Sequence, residues 1–95
     1  MNIAINIINQ LGGRIQAMLG ATAIINHGNG LSFKFKGCRK YNYVHITLEP
    51  SDLYTMRFAR VTRLGDVTKE ESFHQVYNTN LQEIFENTTG LHLTL

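Results

Sequence analysis

A chain of 95 residues with 43% hydrophobic and 17% charged side chains is too apolar for intrinsic disorder and too short for two useful cores, so one domain over residues 1–95 is expected. Its net charge of +2 at pH 7 excludes a uniformly basic chain. With a lone cysteine, Cys38, an intramolecular disulfide is excluded. The N-terminus has no basic leader region, no small-residue cleavage site and no apolar run of membrane-spanning length, so a cytoplasmic protein away from membranes is expected.

In chain order, Ala4, Ile7, Ile8 and Leu11 recur at helical spacing until Gly12-Gly13 interrupts them, which predicts a first helix. From Arg14 the period changes to two. Ile15, Ala17 and Leu19 alternate with Arg14, Gln16 and Met18, the pattern of a strand ending at Gly20. Ala21–Asn26 is open between strand and loop, and His27-Gly28-Asn29-Gly30 is turn vocabulary.

Leu31, Phe33 and Phe35 then alternate with Ser32, Lys34 and Lys36, the clearest strand in the chain. After the basic loop Gly37-Cys38-Arg39-Lys40, Val44, Ile46 and Leu48 alternate with Tyr43, His45 and Thr47 in another strand. Glu49-Pro50-Ser51-Asp52 makes a turn, beyond which Tyr54, Met56 and Phe58 oppose Thr55, Arg57 and Ala59. Gly65 to Ser72 is polar. The chain closes with a helix whose apolar face is Tyr77, Leu81, Ile84, Phe85 and Thr88 and whose wet side is Gln82, Glu83 and Glu86. Asn78 or Thr79 is its expected N-cap, and Gly90 with Leu91 its Schellman end. The sequon Asn87-Thr88-Thr89 is read as helix-end chemistry.

Together these elements predict an α+β fold: an antiparallel sheet of three to four strands with N- and C-terminal helices packed on one face. Phe33, Phe35, Ile46, Phe58, Leu81 and Phe85 are the expected core, with Met1, Met18 and Met56 as packing residues. The other face is expected to be open and to carry Lys34, Lys36, Tyr43, His45, Thr47, Thr55 and Arg57. Residues 34–63 hold seven cations against Glu49 and Asp52, a net +5, whereas residues 64–95 hold Lys69 against five carboxylates, a net −4. The expected molecule is a charge dipole with a basic sheet and an acidic helical side, suited to steered docking on an anionic partner. Its candidate partner- or nucleic-acid-binding residues are Lys34, Lys36, Arg39, Lys40, Tyr43, His45, Arg57, Arg60 and Arg63. The plainer reading of such a face is a solvated surface kept charged against edge aggregation.

Motifs for chemistry are missing from the sequence. It contains no His-Glu-x-x-His, Cys-x-x-Cys, Gly-x-Ser-x-Gly or phosphate loop, and His45 and Glu49 would stand about 13 Å apart along a strand. His74 and His92 read as surface or helix-flanking residues rather than ligands, and Cys38, beside Arg39 and Lys40, as a structural or incidental thiol. No catalytic residue, metal site or cofactor is therefore expected, and the chain is read as a non-enzyme. For nucleic acid, the aromatic signatures of the RNA-recognition sheet are missing. The helix–strands–helix order is shared with double-stranded RNA-binding domains, but the closing helix opens with Tyr77-Asn78-Thr79-Asn80 rather than with cations.

A set of landmarks runs along nearly the whole chain: Gln10-Leu11-Gly12-Gly13, Met18, Gly20-Ala21, Leu31-Ser32-Phe33-Lys34-Phe35, Ile46-Thr47-Leu48, Ser51-Asp52-Leu53-Tyr54, Phe58-Ala59-Arg60-Val61, Val76-Tyr77, Leu81, Phe85 and Thr89-Gly90-Leu91. In these the chain resembles a group of small accessory proteins encoded by tailed bacteriophages and prophages. The resemblance implies a phage or mobile-element protein acting in the cytoplasm of a bacterial host, and it transfers no catalytic residues. Similarity in size and element order to helix–sheet–helix anti-CRISPR proteins adds the expectation of a host protein or nucleoprotein complex as partner. Direct DNA or RNA binding through the basic open face is the alternative, and whether a second copy covers that face in a homodimer is open.

Overall fold

The computed structural model describes residues 2–13 and 15–91. Its elements are α1 (Ile3–Gln10), α2 (Ile15–Leu19), β1 (Thr22–Asn26), β2 (Gly30–Lys34), β3 (Tyr43–Leu48), β4 (Tyr54–Val61), β5 (Val67–Val76), a 3-10 turn at Asn78–Asn80, and α3 (Leu81–Thr89). The strands form one antiparallel meander in the order β1-β2-β3-β4-β5. The helices cover one face, as the apolar alternation requires.

Across the centre of the sheet, Leu31 pairs with Ile46 and Ile46 with Met56, while Phe33 pairs with Val44 and Val44 with Phe58. All six are buried. From the helical layer Ile7, Leu11, Leu81 and Phe85 close over them, every one fully inaccessible. Phe85 is the hub. Its ring centroid lies 5.2 Å from that of Phe35, 5.8 Å from Phe58 and 6.3 Å from Phe33. Such ring pairs contribute about 0.5–1.5 kcal/mol each beyond simple area burial. Gly30 is fixed by close approach, because a Cβ there would stand 2.2 Å from the Ile46 carbonyl oxygen on the neighbouring strand.

The structure corrects the sequence reading in four places. The strand expected over Arg14–Leu19 is a helical turn, α2, over its described residues. Ile15 and Leu19, which alternation would place on one strand face, are also four apart and so share a helix face, where both are buried. The sheet has five strands, because Ala21–Asn26 supplies β1 and the polar tract after Gly65 supplies β5. β5 is an edge strand with little helix above it, so only Phe73 and Val76 betray an inner side.

The closing helix starts at Leu81, after a 3-10 turn that includes both proposed caps, Asn78 and Thr79, and its N-cap, Asn80, makes no side-chain capping bond, its amide donating instead to Glu83 Oε2 at 3.4 Å. Tyr77 consequently lies off the helix face and is 62% exposed, while Thr89 rather than Thr88 is buried and donates to the Phe85 carbonyl at 2.8 Å. At the other end Gly90 is left-handed and its N–H bonds the Glu86 carbonyl at 2.8 Å, a simple αL cap in place of a Schellman pair. The first helix follows its expected span, with the Asn2 side chain accepting from the Ile5 N–H. Met18 packs against the core and Met56 lies within it, while Met1 and His92 fall outside the described residues. No helix among the described residues is long and apolar enough to cross a membrane.

Candidate functional site

Two surfaces emerge where the sequence suggested one. The first is the open face of the sheet, built from residues alternating with the core. One cross-strand row reads Lys34, Tyr43, Ala59, Glu70; the next reads Ser32, His45, Arg57, Ser72; Thr47 and Thr55 pair in the third, with His74 beside them. β5 changes the electrostatics of this face. Its Glu70 accepts a 2.7 Å bond from Arg57, an ion pair whose side chains are 55% and 41% exposed. The carboxylate holds the Arg57 pKa above its usual value. The face is therefore mixed in charge, and the acidic side is not confined to the helices.

Three of the four histidines lie on or over this open face. His27, in the β1–β2 turn, folds onto it so that its ring stacks on His45 at 4.4 Å between centroids, and its Nε2 lies 2.8 Å from Ser32 Oγ. This cover explains why Ser32 is fully buried on a face with no helix. Burial, followed by the charges of His27 and Arg57, holds the His45 pKa below its ordinary 6.5. His45, Thr47, Thr55, Arg57, Glu70 and His74 line a shallow concavity. No group of three or more His, Cys, Asp or Glu among the described residues is arranged to hold a metal ion.

The second surface is one end of the sheet. Because Tyr43 pairs with Ala59, the loop between β2 and β3 and the turn between β4 and β5 lie at the same end. That register gathers Lys34, Lys36, Arg39, Lys40, Arg60, Arg63 and Lys69, every lysine and arginine among the described residues except Arg57. The loops are braced. Asn42 donates to the Val61 carbonyl at 2.9 Å and accepts from the Val61 N–H at 2.8 Å, and Arg60 reaches the Cys38 carbonyl at 3.4 Å. Tyr41 donates to Glu71 at 3.0 Å and carries the Lys40 ammonium over its ring at 5.2 Å. Burial and the adjoining Glu71 raise the Tyr41 pKa, which keeps the hydroxyl a donor.

Of the nine candidate residues, Lys34, Tyr43, His45 and Arg57 lie on the open face. Arg39, Lys40 and Arg63 are exposed on the loops, and Lys36 lies just past β2 with its aliphatic stem near Gly20. Arg60 points to the Cys38 loop rather than across the open face. The sequence reading omitted Lys69, Glu70, Ser72 and His74, all on the unrecognised β5, and the covering role of His27. Its one available signal was Phe73 and Val76 following a turn at Gly65.

Fold and surfaces define, among the described residues, a two-layer α+β protein with a sheet face that no helix covers and a hydrogen-bond-braced basic end. Comparison with protein-family models, with curated proteins and with solved structures gives no match.

Proposed function

We propose that the chain is a non-enzymatic binding protein, of phage or mobile-element origin, that docks its basic end on a host nucleoprotein complex or an acidic host protein and so interferes with a defence or nucleic-acid-processing machine. The observation that carries this reading is the segregation of charge. A braced rim displays cations from two loops and three strand ends, and Arg39, Arg63 and Lys69 have no carboxylate within ion-pair distance among the described residues. Internal stability gains nothing from that arrangement, whereas an anionic partner would be steered by it.

Arg60 and Lys69 support the reading further. They pair directly across β4 and β5, and like charges so placed are destabilising. The origin rests on the resemblance to phage accessory proteins, and the bacterial cytoplasm as the place of action follows from it. Immobilised protein should capture the same complex from repeated host lysates, and the Arg39→Glu/Lys40→Glu/Arg63→Glu variant, shown to be folded by its thermal transition, should not. Capture unchanged in that variant would reject the basic end as the docking surface.

A second reading, direct nucleic-acid binding, is favoured by the same rim rather than by the sheet face. The ion pair to Glu70 already occupies Arg57, the face's central cation.

A further inference from the structure

The β4–β5 turn carries a side chain that neither packing nor turn chemistry asks for. Leu64, at its tip, is 89% exposed, the most exposed large hydrophobic residue among those described. Turn positions favour Gly, Asn, Asp and Pro for conformational reasons that leucine does not share. Gly65, with φ of +88°, supplies the conformation here, and Thr62 closes the turn by accepting from Gly65 and donating to the Asp66 carbonyl. Leu64 is thus displayed by a turn that is complete without it.

Its surroundings are predominantly basic. Arg63 precedes it, Arg60 and Lys69 pair behind it, and Arg39 and Lys40 extend from the adjacent loop, with Asp66 the carboxylate within the turn. From β2 to β5 the rim crosses three interstrand spacings, about 14 Å. An apolar wedge on a narrow hairpin flanked by cations is the chemistry by which proteins enter the minor groove of a duplex, unstack a base step and hold the adjoining phosphates. The groove is about 6 Å wide, which admits a turn's side chain but not a helix.

We infer that the β4–β5 hairpin tip is a duplex-DNA contact, with Leu64 as a minor-groove wedge and Arg39, Lys40, Arg60, Arg63 and Lys69 on flanking phosphates. The inference rests on the reading of the basic end as a docking surface and names its ligand. An acidic protein patch would match the cations, but it supplies no base step for the leucine.

The test uses the full chain and an end-labelled duplex of about 30 base pairs, with binding followed by anisotropy and bending by energy transfer between the ends. Wild type should bind, with log affinity falling against log salt at a slope near −4 to −5 if about five phosphates are neutralised. Arg39→Glu/Lys40→Glu/Arg63→Glu should weaken binding at least about tenfold and flatten the slope. Leu64→Ser should leave the thermal transition and the salt slope unchanged but abolish the bend.

A wild-type chain that does not bind the duplex, or that polyglutamate releases as readily per charge as unlabelled DNA does, overturns the inference. So does a Leu64→Ser variant that bends DNA like wild type. Capture of a host complex that survives nuclease treatment, alongside no duplex binding, would leave the docking reading standing and this one refuted. Duplex bending without capture of any complex would do the reverse.

Discussion

The two faces of β3 and β4 are written by alternate residues of the same strands, yet they answer to different physics. On the covered face Val44, Ile46, Met56 and Phe58 are completely inaccessible and lie within the hydrophobic core cluster. On the open face Tyr43, His45, Thr47 and Thr55 are half-buried by one another, and Arg57 is held by a single exposed carboxylate. The first face tolerates little change because its atoms have no alternative partner, whereas the second can exchange each contact for water. What the comparison teaches is that fold and behaviour can be separated residue by residue along one strand.

The sharpest way to break the contrast is Phe58→Ala. It removes a ring shared by Tyr41, Phe73 and Phe85 and should lower unfolding free energy by about 3–5 kcal/mol in denaturant titration. That is a large share of the roughly 5–15 kcal/mol expected for a small protein. Asn42→Ala comes next. It strands the Val61 N–H and carbonyl, costs about 1–3 kcal/mol, and should speed amide exchange of Val61 while leaving the exchange of Ile46 nearer the global rate.

On the open face the Arg57–Glu70 pair should couple by only about 0.2–1 kcal/mol in a double-mutant cycle, less at high salt, because both side chains face solvent. A coupling of several kcal/mol would mean that this face is not open at all. The smallest effect is pH-dependent. Since the His45 pKa is depressed in the folded state, the unfolded chain takes up its proton first. The contribution is thus fully present above about 6.5 and is lost as pH falls through that value toward the folded one. A melting-temperature profile should show this decline, and His45→Asn should flatten it.

The covered face was legible because its residues obey a single period. Leu31, Phe33, Phe35, Val44, Ile46, Met56 and Phe58 alternate strictly, and their burial follows. β5 was obscure for the complementary reason. Val67-Thr68-Lys69-Glu70-Glu71-Ser72 meets solvent on both sides and has no apolar period to read. α2 was misread because its two buried residues, Ile15 and Leu19, fit a period of two and a spacing of four equally well.

The basic end failed to appear for a topological reason. Arg39 and Lys40 are some twenty positions from Arg60 and Arg63 in the chain, and only the register of Tyr43 on Ala59 brings them together. In a meander, however, every second connection lies at the same end. Cations flanking alternate turns could have been summed on that basis.

The outermost strands carry the irregularities of the sheet. β1 holds an extra residue between Thr22 and Ile25, with Ala23 at a φ of +51°. β5 holds extras opposite Tyr54/Met56 and Arg60/Val61, with Gln75 at +56°. Each breaks the straight ladder that a foreign strand would need as a template, and Lys69, Glu70 and Glu71 add charge along the longer border. Such borders resist growth of the sheet into a fibril while leaving its loops free to meet a partner.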